Sequence, residues 1–152
     1  MEKIKWGIIG PGNIANNFAD GLKGSYSGQL VSIASKSEDR RKNFGDKYDI
    51  HPDFRFDSYE DIINSEHIDA IYISTPHTLH AQWTIKAAGK GKHILCEKPG
   101  AINFNEGKKI IDAVREAGVF YMEGFMYRCH PQIPKLVDII KNKIIGDVIS
   151  VE

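Results

Sequence analysis

The sequence predicts an α/β fold, a doubly wound and mostly parallel sheet with helices on both faces. Two observations carry that prediction. Short apolar runs alternate with amphipathic stretches from residue 4 to about residue 143, the pattern of βα units whose crossovers cover a sheet. The first run also opens directly into Gly10-Pro11-Gly12-Asn13-Ile14-Ala15. That G-x-G-x-x-A turn between strand and helix is the phosphate-binding turn of dinucleotide sheets, so the expected architecture is Rossmann-like.

Each element has its own local reason. Residues 4–9 form an apolar strand, and a helix runs from the glycine turn to about Leu22. Residues 29–35 read as the second strand. Ser37 then caps a helix to about Tyr48, with Glu38 and Asp39 in its first turn. Arg55-Phe56 is a very short third strand. Ser58 with Asp61 resembles a capping box and opens a short helix ending near Asn64. Residues 69–74 form the fourth strand, stopped by Pro76. A helix over 77–88 is closed by Gly89 and Gly91, and residues 93–96 are the fifth strand. Asn103 with Glu106 opens the next helix, which carries Ile110, Ile111 and Val114 and stops at Gly118. Residues 119–122 are the sixth strand, 131–143 a further helix, and 146–152 the start of a new alternating strand.

Composition narrows the function classes. Apolar residues make up 41% and charged residues 26%, as in ordinary globular proteins. Twenty basic residues balance twenty acidic ones, which argues against a nucleic-acid or bulk membrane surface and for modest solubility near neutral pH. No apolar run approaches transmembrane length, and residues 1–9 read as a core strand rather than a signal peptide. The expectation is a cytoplasmic protein. Cys96 and Cys129 make neither a disulfide framework nor a metal cluster, and Cys96 reads as a buried small hydrophobe. His77 and His80 lack an H-E-x-x-H pattern, so no metal is expected. No G-x-S-x-G or P-loop lysine motif supports hydrolysis.

Ligands of open parallel sheets bind beyond the carboxyl ends of the strands. Here those ends carry Gly10 to Ala15, then Ser35 and Lys36, then Ser74, Thr75 and His77, then Glu97 and Lys98. Gly10 permits the tight turn, Gly12 lets a pyrophosphate approach, and Ala15 lets the helix pack closely. NAD sites commonly place a carboxylate about 20 residues after the glycine loop. Ser35 lies 23 residues beyond Gly12, followed by Lys36, Arg40 and Arg41. A hydroxyl and cations suit the extra phosphate of NADP(H), which is the expected cofactor, with NAD(H) as the alternative. The competing reading makes these cations a solvated helix face. His80, one turn into its helix, is expected against a ribose or the nicotinamide. Lys98, followed by Pro99, is a candidate proton or hydrogen-bond donor to a substrate oxygen; the alternative is a solvated strand end.

Four ordered segments then carry a family resemblance: residues 6–15, 74–80, 88–99 and 123–131, followed by Gly146-Asp147-Val148. Together they resemble the glucose-fructose oxidoreductase / inositol dehydrogenase (Gfo/Idh/MocA) family, across essentially the whole chain. The Ser35-Lys36 pair is most similar to NADP-dependent members such as dihydrodiol and xylose dehydrogenases. The resemblance implies a pyrophosphate loop of Gly10, Gly12, Asn13 and Ile14, and an adenosine-ribose end of Ser35 and Lys36, with Arg40 nearby. It implies a wall of Ser74, Thr75, Pro76 and His80, a nicotinamide-ribose contact at Glu97, the catalytic lysine at Lys98, and Arg128 near the nicotinamide or the active-site floor.

The same resemblance divides the chain into a Rossmann core over 1–122, a closing segment and helix over 123–145, and, at 146–152, the first strand of a missing C-terminal α+β substrate and oligomerisation domain. The expected reaction is hydride transfer between NADP(H) and a carbinol or carbonyl carbon of a sugar, polyol or diol. A dinucleotide-binding chain or fragment without turnover is the first alternative, and an NAD-dependent glycosidase-like relative the second. The surface meant for the second domain predicts self-association, by edge-strand pairing or exchange of residues 144–152.

Overall fold

β1 (Ile4–Ile9) is the first strand in the chain and lies inside the sheet, between the second and fourth strands. The computed structural model describes residues 2–151. Its remaining elements are α1 (Asn13–Lys23), β2 (Gly28–Ala34), α2 (Glu38–Lys47), β3 (Arg55–Phe56), α3 (Tyr59–Asn64), β4 (Ala70–Ile73), α4 (His80–Ala88), β5 (His93–Cys96), α5 (Phe104–Ala117), β6 (Tyr121–Glu123) and α6 (Gln132–Lys141). The six strands are parallel, in the order β3-β2-β1-β4-β5-β6. The order reverses beside β1, and this is where open α/β sheets leave a crevice.

Strand alternation sorts the core into two layers. Ile9, Ile71, Ile73, Ile94 and Cys96 point to the side covered by α3, α4 and α5, where Ile62, Trp83 and Ala87 meet them. Ile8, Ile33 and Tyr72 point to the other side, against Ala15 and Ala19 of α1 and Phe44 of α2. The register Ile8–Tyr72–Leu95–Met122 continues that second face to the β6 edge. There, among the described residues, no helix covers it. Ile4, Trp6, Leu95, Phe120 and Met122 line an apolar hollow of about 460 Å³, with Phe120 64% exposed. α6 packs chiefly on the turn preceding it and leaves Leu136, Val137 and Ile140 exposed.

Local signals explain most boundaries. Ser37, Ser58 and Asn103 each accept from a first-turn amide of the following helix. Ile102 N, one residue before the cap, donates to Glu106 Oε2 at 3.2 Å, so Glu106 reaches back past the start of α5. Gly118 ends α5 in the left-handed region at φ 64°. Val119 N still bonds back to Val114 O at 3.3 Å, so β6 begins at Tyr121, two residues later than the apolar pattern suggests. The helix expected over 77–88 starts as a 3-10 turn at His77–Leu79. The strand expected at 146–152 does not form over residues 146–151: no ladder partner lies beside them, and Ile149 is 97% exposed. Residue 152 lies outside the described residues.

Candidate functional site

The turn after β1 is locked before it is open. Gly10 sits at φ 93°, and a Cβ there would lie 3.0 Å from Ser74 O. The Ser74 hydroxyl donates to Gly10 O at 2.7 Å, pinning the turn to the end of β4. Gly12 is the extended residue that starts α1, and no side chain caps the helix. A Cβ placed on Gly12 would meet nothing within 4 Å. Space is open beside Gly12 at the helix start, and the first turn takes no side-chain cap, as an anion site at a helix N-terminus requires. Asn13 is exposed, Ile14 half-buried, and Ala15 buried under α1.

At the end of β2, Ser35 is buried and its hydroxyl accepts from Ser37 N at 3.3 Å. Arg41 Nη1 donates to Ser35 O at 2.6 Å. That bond holds the Arg41 guanidinium at the strand end, while Lys36 and Arg40 extend into solvent. The sequence offered Arg40 and Arg41 as neighbours on one helix; the fold anchors only Arg41 there.

Beyond β4 and β5, Ile14, Ser74, Thr75, His77, Glu97 and Lys98 line a hollow of about 290 Å³. Thr75 is buried and its Oγ1 has no hydrogen-bond partner. A buried hydroxyl without a partner is costly, and Thr75 is also one of the residues lining the hollow. Pro76 is exposed at the rim. Lys98 is exposed, with no hydrogen bond or ion pair to its ammonium among the described residues. Glu97 Oε1 accepts from the Tyr72 hydroxyl at 2.6 Å. Burial first, then Glu97, pushes the Tyr72 phenol well above the usual range.

Two expected contacts differ in burial. His80 is fully buried, with Nδ1 2.7 Å from Pro99 O and Nε2 2.8 Å from Thr75 O. Both ring nitrogens are thus engaged, so His80 ties two strand-end loops together while also lining the hollow. Arg128 is exposed on the 3-10 turn Met126–Cys129, and it is Met126 of that turn that borders the hollow. Tyr72 escaped the sequence reading, although alternation puts it opposite Ile71 and Ile73, and a buried tyrosine needs a partner for its hydroxyl.

The sequence model of an oxidoreductase family with an NAD-binding Rossmann fold matches residues 4–125. The trans-1,2-dihydrobenzene-1,2-diol dehydrogenase of Xenopus laevis is 34% identical over 95% of this chain and 44% of its own length. D-xylose 1-dehydrogenase (NADP(+)) 2 of Haloferax volcanii is 34% identical over 97% of this chain and 45% of its own. A crystal structure of a variant 3-ketoreductase from Actinomadura kijaniata, in complex with TDP-benzene and NADP, superposes with a TM-score of 0.89 at 30% identity. It covers 97% of this chain and 46% of that one. The chain thus spans under half the length of the proteins it matches.

Proposed function

This chain belongs to the Gfo/Idh/MocA family of oxidoreductases, and from that premise we propose that it is the cofactor-binding part of an NADP(H)-dependent oxidoreductase acting on a sugar, polyol or diol. The observation that carries the reading is one hollow lined together by Ile14 in the uncapped first turn of α1, Ser74, Thr75, Glu97 and Lys98. A bound nicotinamide supplies the hydride chemistry; the protein supplies orientation and electrostatics. The α1 amides after Gly12 hold the pyrophosphate. Ser35, Lys36 and the anchored Arg41 hold the 2′-phosphate, and no carboxylate stands at position 35 to repel it. Ser74 and Thr75 wall the nicotinamide half, and Glu97 accepts from its ribose. Lys98 Nζ donates to the substrate oxygen and passes it a proton as the carbonyl is reduced, or takes that proton back in oxidation. The relatives named with NADP(+) or crystallised with NADP support the choice of cofactor.

Fluorescence titration of the purified chain with NADPH, with NADH in parallel, tests the reading. Saturable NADPH binding tighter than NADH is expected. Binding of neither by a chain that unfolds cooperatively overturns it; tighter NADH overturns the cofactor choice alone. The uncovered hollow at Trp6, Phe120 and Met122 supports a second proposal, that copies of this chain associate through that face.

A further inference from the structure

We propose that Tyr72 is a positioning residue: its buried phenol fixes the Glu97 carboxylate at the nicotinamide-ribose end of the site and couples that carboxylate to α1. The proposal rests on the cofactor reading above. Tyr72 is 2% exposed in the middle of β4. Its hydroxyl has one proton to donate, and donates it to Glu97 Oε1 at 2.6 Å. Gly124 lies beside that oxygen. Gly124 N donates to Cys96 O at 2.7 Å, and a Cβ on Gly124 would stand 3.3 Å from Glu97 Oε1. Absence of a side chain at Gly124 therefore leaves room for the carboxylate, and the phenol supplies its direction.

The same tyrosine ring reaches the other half of the site. It stacks on Phe18 of α1 with centroids 4.1 Å apart and planes 24° apart, and Phe18 meets Trp6 edge-on at 5.2 Å. α1 is the helix whose first turn faces the expected pyrophosphate. One ring thus touches the helix that would bind phosphate and the carboxylate that would bind the nicotinamide ribose. Burial raises the phenol's pKa, so it remains a donor through the neutral range. A tyrosine serving only the core would meet its hydrogen-bonding need at any backbone carbonyl.

Tyr72→Phe keeps the ring stack and removes the bond. NADPH should bind about tenfold more weakly to that variant, the size of one charge-assisted hydrogen bond. 2′,5′-ADP, which lacks the nicotinamide ribose, should bind both proteins alike. In a Glu97→Ala background, Tyr72→Phe should change NADPH affinity less than about twofold, because nothing remains to position. Equal NADPH binding by Tyr72→Phe and the unaltered chain overturns the proposal. So does an equal loss for 2′,5′-ADP, or a loss that persists beside Glu97→Ala, since either marks a general packing defect. An unaltered chain that binds neither ligand removes the cofactor reading, and this inference with it.

Discussion

A buried imidazole with a carbonyl oxygen against each nitrogen has one more acceptor than a neutral ring can serve. His80 stands in that position between Thr75 O and Pro99 O. Only a ring carrying both protons donates to both. Whatever its protonation, the ring binds the loop after β4 to the loop that presents Lys98. His80→Ala should therefore destabilise the chain by about 1–3 kcal/mol, the cost of leaving buried acceptors without a donor. NADPH affinity should fall with it. His77→Ala, at an exposed neighbour, should stay within about 0.5 kcal/mol of the parent. Urea unfolding of the two variants decides this, and equal midpoints would refute the tie. At this scale the strand ends that share a hollow, with Ser74, Thr75, Glu97 and Lys98, were readable, but not what each side chain would touch. Glycine spacing located Gly10 and Gly12 because backbone geometry is local. His80 and Tyr72 take their roles from partners 19 and 25 residues away, which no local pattern encodes.

Three neighbouring strands each carry an ionisable group that the fold keeps protonated. Burial pushes the Cys96 thiol of β5 up from 9.0 to about 12. Burial, more than any neighbouring charge, also raises Tyr72 of β4 and Tyr121 of β6. The folded chain holds these protons to higher pH than the unfolded chain does. Stability contributed by the thiol is therefore complete below about pH 9 and is lost as pH rises toward about 12. The urea midpoint should fall across that window, and Cys96→Ala should flatten part of the slope. A midpoint independent of pH there would contradict the buried-strand account. These strands were legible because apolar runs of four to six residues admit few alternatives. Their ends were not. β6 starts late because the cap at Gly118 extends into Val119, and residues 146–151 stay irregular because a strand needs a neighbour as well as a pattern.

For the whole molecule, a mostly parallel sheet was readable from alternating elements, whereas the uncovered half-face was not, since coverage depends on which crossovers exist. That face, with Phe120 and Met122 exposed, should draw copies of the chain together. Sedimentation velocity should show a mean mass that rises with concentration, and Met122→Glu should return it toward monomer. A single monomeric boundary for the parent at every concentration would exclude this association. The placement of β1 between β2 and β4 also sets a clock on synthesis. Gly10 leaves the ribosome early, but the hydroxyl that pins it belongs to Ser74, 64 residues later. At about 5–20 residues per second the glycine loop waits roughly 3 to 13 s for its latch. A nascent chain therefore carries the phosphate turn well before it can hold that turn's shape. On that timetable the cofactor meets a finished site only after β4 and then β5 have joined the sheet, and it can reward the last steps of folding but not the first.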